Sequence, residues 1–393
     1  MYPDLSYIFH DLFGTQPDNW LSIFKTFGMF LILAFLASAY FFRKELIRKE
    51  QLGLLPSSTE TVKTGFGPKP QDLLMNGLFG FILGLKVPYV YANFEAFKED
   101  PAAILLSSKG NLLAGIVLAA VFAGYKYWEL QRKKLGRPVV QKITVKPHER
   151  IVDITVLAAV TGVIGAKIFV IFESTENFRA FLRDPLGQLL SGSGLAIYGG
   201  LILAFISVFI YVKRKGMPPI HVMDAVAPAL IMGYAVGRMG CQLSGDGDWG
   251  IVNTKPLPDW WFLPESWWAW DYPRNVLEQH FSNPIPDCTF RYCNALTEPV
   301  FPTPVYEVIM SLVIFGILWS LRKRIKAAGA LFFVYMFLNG VERFFIEKIR
   351  VNPDIDILGI KATQAEYIAV LMMIGGVAGF VWSFRKEKGK QAG

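Results

Sequence analysis

An arginine, Arg238, stands where an apolar run of helical period gives way to a glycine-rich turn, Gly237-Arg238-Met239-Gly240-Cys241-Gln242-Leu243-Ser244-Gly245-Asp246-Gly247-Asp248-Trp249-Gly250. A charge in such a run costs roughly 3 kcal/mol or more at mid-bilayer unless it faces protein, water or a polar ligand. Further on, Arg343, Glu347 and Arg350 recur at i, i+4 and i+7, so they share one helical face. Tyr306 and Glu307 open another apolar run, and Tyr198-Gly199-Gly200 opens a third. Guanidinium groups bind phosphate oxygens in bidentate fashion and stay charged. Arg238 and Arg343 therefore suit a phosphate ester, with Glu347 and one of Asp246 or Asp248 holding the arginines in place. A purely structural reading stays open beside this one, because i,i+4 pairs such as Arg343 with Glu347 are common helix stabilisers.

These residues must be positioned by membrane helices. The chain has 393 residues, 53% hydrophobic and 15% aromatic, too apolar for a soluble domain of this length. The net charge of +8 is spread in short basic clusters between apolar runs. That is the pattern of membrane loops rather than of a nucleic-acid surface. The runs predict an all-α integral membrane protein with about nine spans, near 21–42, 73–92, 110–129, 151–172, 193–212, 222–243, 303–321, 328–347 and 364–384, each close to bilayer length. The first run follows acidic rather than basic residues, so it reads as a span and not as a cleavable signal. Alternate connecting segments hold 24 against 10 Lys and Arg. The positive-inside rule then places the N-terminus outside, the C-terminus in the cytoplasm and segment 244–302 as a long outer loop. In that orientation Arg238, Tyr198, Tyr306, Glu307, Arg343, Glu347 and Arg350 all gather at the depth of the outer-leaflet headgroups.

The chain reads as a single polytopic membrane domain over 1–393 with an internal repeat. Residues 94–115 align without gaps on 178–199 with nine of 22 positions identical, Asp100/Asp184, Pro101/Pro185, Ser107/Ser191, Gly110/Gly194 and Gly115/Gly199 among them. Average composition gives roughly one or two by chance. The unit 73–129 is therefore expected to duplicate 151–212. Ala114 stands in the first copy where Tyr198 stands in the second, so the first reads as a packing element and the second keeps the polar group. The outer loop carries six tryptophans from Trp249 to Trp270 and is expected to lie along the membrane surface. Cys288 and Cys293 share that loop and can pair if it faces an oxidising compartment. The three cysteines and four histidines show no metal-ligand spacing, and no metal or organic cofactor is expected.

Taken together, the motifs resemble those of the prolipoprotein diacylglyceryl transferases, integral membrane enzymes of bacteria. Phe27-Gly28 is similar to that family's Tyr-Gly, and Gly165-Ala166-Lys167 to its Gly-Ala-Arg. Tyr198-Gly199-Gly200 resembles its His-Gly-Gly or Tyr-Gly-Gly. The run from Gly237 to Gly250 resembles its Gly-Arg-x-Gly-Asn…Glu-x-Trp-Gly signature. Pro302-Thr303-Pro304-Val305-Tyr306-Glu307 and Arg343-Phe344-Phe345-Ile346-Glu347…Arg350…Pro353-Asp354 resemble two further blocks, all in family order. Cys241 replaces the signature asparagine, an aspartate replaces the glutamate, Phe27 replaces a tyrosine, and Asn339 stands where the family has tyrosine. The family has seven spans, and the duplicated pair accounts for two more.

The resemblance implies transfer of a diacylglyceryl group from phosphatidylglycerol to the lipobox cysteine of preprolipoprotein signal peptides, at the outer leaflet of the bacterial inner membrane. It implies catalytic roles for Tyr198, Arg238 and Arg343. Substrate contacts would fall to Gly199, Gly200, Gly240, Cys241, Asp246, Asp248, Gly250, Glu307, Glu347 and Arg350. Two other classes compete. A covalent acyltransferase would use Cys241 as nucleophile, but His221 lies about twenty residues away, roughly 30 Å along a helix. A non-catalytic phospholipid-binding or transport protein of the same fold would share the repeat, since repeats are common in transporters.

Overall fold

The computed structural model describes residues 1–65, 67–135, 139–190, 196–277, 282–357 and 359–391. Ser191 and Gly194 of the expected repeat, and residues 278–281 of the long loop 244–302, lie outside the described residues. In chain order the elements begin with α1 (Leu5–Phe13), α2 (Thr26–Gln51), β1 (Ser58–Thr64) and α3 (Pro70–Ala92). Next come α4 (Phe94–Glu99), α5 (Pro101–Leu106), α6 (Leu112–Arg132) and β2 (Val139–Val145). Then follow α7 (Ile151–Glu173), α8 (Thr175–Arg183), α9 (Pro185–Leu190), α10 (Ile197–Arg214) and α11 (Pro219–Ser244). The chain closes with β3 (Ser282–Pro284), β4 (Asn294–Leu296), α12 (Thr303–Leu321), α13 (Ala330–Glu347), β5 (Asp354–Ile357), β6 (Ile360–Thr363) and α14 (Gln364–Gln391).

This is an all-α integral membrane protein, with three two-stranded ribbons as its only sheets among the described residues. Seven helices of the described residues are long and apolar enough to span: α2, α3, α6, α7, α11, α12 and α14. The two other expected spans form as helices of 18 residues each, α10 and α13. Helix α13 carries Glu342, Arg343 and Glu347 in its last two turns, which lowers its apolar character.

Two compact units divide the chain, one of residues 1–55 and 217–393, the other of 56–216. In the first unit α2 packs along α11, α11 on α12, and α13 on α14. Ile231, Ile314, Leu318 and Leu331 form a buried apolar cluster where α11, α12 and α13 meet. One end of this bundle is tied by buried charges. Asp224 of α11 accepts from the backbone N–H groups of Gly329 and Phe332 at 2.9 and 3.1 Å, capping α13, and pairs with Lys49 at 3.4 Å. Glu45 holds Arg48 at 2.7 Å and Arg322 at 2.8 Å. At the opposite end the loop between α11 and α12 builds a cap together with α1. Tyr7 is fully buried there, donating to Asp18 and accepting from the backbone N–H of Tyr292, both at 3.2 Å. Cys288 and Cys293 are joined in a disulfide with Cα atoms 5.6 Å apart.

In the second unit β1 and β2 pair antiparallel, from Ser58 opposite Val145 to Thr64 opposite Val139. Arg150 and Lys215 both bind Glu60, at 2.8 and 2.5 Å. Helix α3 pairs with α6 and α7 with α10, and each pair is joined through two short helices. The glycines of the two stretches make the same kind of close approach. A Cβ on Gly84 would lie 2.2 Å from the Ala114 carbonyl oxygen, and one on Gly165 would lie 2.4 Å from that of Gly199. Only glycine lets the backbones come so near. Lys86 is buried and donates to the carbonyls of Ile104, Ser107 and Lys109, which fixes the α4–α5 segment under α3.

Candidate active site

Helix α11 ends because Gly245 turns left-handed (φ 64°) and returns its N–H to the Cys241 carbonyl at 3.1 Å. The turn that follows bends back over the helix end. Gly250 hydrogen-bonds Phe301 at 2.8 Å and bridges to Arg350, while Ile251 N–H reaches the Ile349 carbonyl at 2.8 Å. A Cβ on Gly250 would lie 2.3 Å from the Ile349 oxygen, so glycine is required for that backbone contact. Thr303 at the start of α12 donates to the Asp248 carbonyl at 2.7 Å. These ties bring the ends of α11, α12 and α13 around one carboxylate, Asp248.

Asp248 accepts from Arg238 at 2.5 Å and from Arg350. Glu307, fully buried near the start of α12, takes the other edge of Arg238 at 2.5 Å, Arg350 at 3.3 Å and Arg343 at 3.8 Å. Glu347 holds Arg343 at 2.9 Å and accepts from Asn352 at 2.5 Å. Three arginines thus meet three carboxylates, and each guanidinium is fixed by at least one charged hydrogen bond or ion pair. Fixed donors of this kind need little reorganisation when negative charge develops on a bound phosphate. Tyr234, one turn before Arg238, stacks under its guanidinium, with the charge 5.1 Å from the ring centroid.

The two aspartates of the turn are now distinct. Burial raises the Asp248 carboxyl, but the guanidinium groups of Arg238 and Arg350 outweigh it and hold it below the usual carboxylate range. Asp246 is raised, first by burial and then by the charge of Asp248, and accepts the Asp248 N–H at 3.4 Å. Cys241, buried one turn beyond Arg238, donates its thiol to Asp248 at 3.3 Å. A thiol that donates to a carboxylate is not activated toward thiolate. His221 sits in the first turn of α11, at the far end from Cys241. The sulfur of Cys241 and the carboxylates of Asp246 and Asp248 lie within 4.8 Å of one another. The guanidinium groups on Asp248 already supply the positive charge that a cation would bring.

The remaining expected residues fall as follows. Gly240 lets α11 approach α2, since a Cβ there would meet that of Phe30 at 2.6 Å. Tyr306 donates to the Trp267 carbonyl at 2.7 Å and so anchors the loop between α11 and α12 to α12. Tyr198, Gly199 and Gly200 belong to the unit of residues 56–216, where Tyr198 is half-buried in the first turn of α10 and Gly199 packs on Phe169. The arginine cluster is drawn entirely from the other unit. Sequence reasoning missed Tyr234, Asn352 and Glu342. Glu342 is buried, and its Oε1 has no hydrogen-bond partner among the described residues. A carboxylate inside an apolar run was the available signal, but it lies off the Arg343–Glu347–Arg350 face.

Residues 112–382 match the family model of the prolipoprotein diacylglyceryl transferases. A phosphatidylglycerol–prolipoprotein diacylglyceryl transferase of Dehalococcoides mccartyi strain 195 is 25% identical over 291 residues, 74% of this chain and 95% of the relative. The enzyme of the same name from Staphylococcus xylosus is 28% identical over 283 residues, 70% of this chain and 87% of the relative. That from Corynebacterium efficiens is 25% identical, covering 72% and 77%. The matched region holds Arg238, Asp248, Glu307, Arg343, Glu347 and Arg350, and the chain belongs to the prolipoprotein diacylglyceryl transferase family.

Proposed function

We propose that this multi-pass membrane protein transfers the sn-1,2-diacylglyceryl group of phosphatidylglycerol to the lipobox cysteine of preprolipoproteins. The observation that carries the reading is the sharing of Glu307 by Arg238, Arg343 and Arg350 at one end of the bundle. In the reaction a sulfur–carbon bond forms at the glyceryl carbon as the carbon–oxygen bond to phosphate breaks, giving a thioether and glycerol phosphate. Arg238 and Arg343 stabilise the charge that grows on the departing phosphate. Their field also favours thiolate over thiol in the incoming peptide. Asp248, Glu307, Glu347 and Arg350 position the two arginines, and Gly240, Cys241, Asp246 and Gly250 shape the floor beneath the headgroup. A substrate role for Tyr198, Gly199 and Gly200, which belong to the other unit, rests on their likeness to the family motif alone.

The reading places the site at the outer leaflet of the bacterial inner membrane, with nine spans, an outer N-terminus and a cytoplasmic C-terminus. The charge bias of the loops supports this, and so does the Cys288–Cys293 disulfide, which belongs in an oxidising compartment. Trp260 and Phe262, 69% and 88% exposed, suit a loop resting on the headgroups. The α3–α6 segment is read as a duplicate of α7–α10 that has lost the polar tyrosine.

The experiment is transfer of label from phosphatidylglycerol to a lipobox peptide in membranes holding the protein. Transfer by the native chain and its loss in Arg238→Ala are expected. Lipid binding without transfer would favour a binding or transport protein.

A further inference from the structure

Arg343 is the least restrained of the three arginines. Its side chain is 22% exposed, against 13% for Arg238 and 14% for Arg350. Among the described residues it meets two carboxylates, Glu347 at 2.9 Å and Glu307 at 3.8 Å. Glu347 Oε2, the oxygen that faces it, has no hydrogen-bond partner among those residues, so the 2.9 Å contact is an ion pair without hydrogen-bond geometry. Such a contact attracts a guanidinium but aims it only if the carboxylate itself is held. Asn352 holds it. Its Nδ2 donates to Glu347 Oε1 at 2.5 Å, the one hydrogen bond made by the Glu347 side chain among the described residues. Glu347 is 3% exposed, whereas Asn352 lies exposed five residues on, past the end of α13. Backbone ties of Ile349 to Ile251 and of Arg350 to Gly250 hold this segment against the turn that carries Asp248. A neutral amide suits the place. It supplies a donor without a charge, whereas an ammonium there would compete with Arg343 for the carboxylate.

We propose that Asn352 is a positioning residue, which fixes Glu347 through Oε1 so that Oε2 aims Arg343 at the phosphate of the lipid headgroup. This rests on the transferase reading above. Donors stabilise the charge growing on a departing phosphate only when they already point at it. A guanidinium free to swing still attracts an anionic lipid but stabilises that charge less. The contribution of Asn352 therefore falls on kcat rather than on lipid binding.

The test measures label transfer from phosphatidylglycerol to a lipobox peptide by the full chain in lipid vesicles, with lipid binding followed separately. In Asn352→Ala, kcat should fall about 10–100-fold, the range carried by one hydrogen bond to a charged group, with the lipid KM held within about threefold. In a Glu347→Ala background the same change should cost less than about twofold more, because residues that act through one another are not additive. Asn352→Asp should lose rate at about pH 8, where two like charges face each other, and recover relative to the native chain towards about pH 5.5. There the introduced carboxyl takes up a proton and can donate to Glu347 as the amide does. An unchanged kcat in Asn352→Ala overturns the proposal. So does a loss lying in KM, or one that adds fully to that of Glu347→Ala, since either means that Asn352 touches the headgroup itself. If Glu347→Ala does not fold, the Asn352→Asp profile decides, and a loss flat with pH overturns the proposal. An inert native protein that still binds phosphatidylglycerol would sink the transferase reading and this assignment with it, whereas additive losses in an active enzyme sink the assignment alone.

Discussion

Arg238 and Glu307, on different helices, meet Nε to Oε2 at 2.5 Å, with Glu307 wholly shielded from solvent. The contact makes the charge of Arg238 affordable in an apolar helix and fixes which edge it presents. Lysine cannot reproduce it, because an ammonium offers no planar fork to bridge Asp248 and Glu307 together. Both Arg238→Ala and Arg238→Lys are therefore expected to lower diacylglyceryl transfer by about 10²–10³-fold. A lysine variant of native rate would show that the bridge is dispensable.

Removing the other partner has a different outcome. Glu307→Gln keeps the shape and deletes the charge that Arg238, Arg343 and Arg350 share. Breaking a buried pair on one side costs about 3–5 kcal/mol, since it leaves charge uncompensated. The variant should unfold at clearly lower temperature or denaturant in detergent, beyond any loss of transfer. Native stability in Glu307→Gln would mean that water already solvates the arginines.

Asp248 gives a dependence on pH. Burial lifts its carboxyl, but Arg238 and Arg350 more than reverse that. A carboxyl held low in the fold adds stability that is full above its unfolded pKa, near 3.9, and is lost as pH falls through the folded value. Thermal stability of the native chain should therefore fall on acidification below about pH 4 more steeply than that of Asp248→Asn, which lacks the contribution at every pH. Asp246 has the opposite sign, raised by burial and by Asp248, so Asp246→Asn should relieve a penalty at neutral pH. Parallel acid limbs in native and Asp248→Asn would argue against the Asp248 ion pairs.

Gly250→Val tests the turn. The added Cβ meets the Ile349 oxygen at 2.3 Å, against backbone that cannot yield cheaply. Overpacking of this kind costs about 1–3 kcal/mol. Lifting the turn also separates Asp248 from Arg350, so transfer should drop together with stability. A variant with native melting and native transfer would show the turn to be adjustable.

The disulfide can be checked by labelling. Cys288 and Cys293 should resist alkylation in intact cells until a reductant is added, then react with a membrane-impermeant reagent. Closing so short a loop contributes about 2 kcal/mol in the chain-entropy account. Labelling without reductant, or only after the membrane is opened, would contradict the pairing or the sidedness.

Much of the fold was legible because bilayer-length apolar runs leave few alternatives. Arg343 with Glu347 could be read from i,i+4 spacing alone. The ties of Arg238 to Glu307 and of Arg350 to Asp248 could not. They join different elements, and only packing decides which carboxylate meets which arginine. The choice between Asp246 and Asp248 was closed to sequence for the same reason, as it depends on the left-handed Gly245 and the backbone bridge at Gly250. Glu342 was overlooked because periodicity favours residues that share a face, and its Oε1 meets no hydrogen-bond partner among the described residues.

The β1–β2 ribbon sets Thr64 beside Val139, so the chain enters and leaves the α3–α6 segment at adjacent points. A two-residue hairpin turn could join those strands directly. The first helix pair is thus a cassette, removable or exchangeable at one seam without re-threading the remainder. Such a segment could be gained or lost without changing the order and direction of the remaining helices.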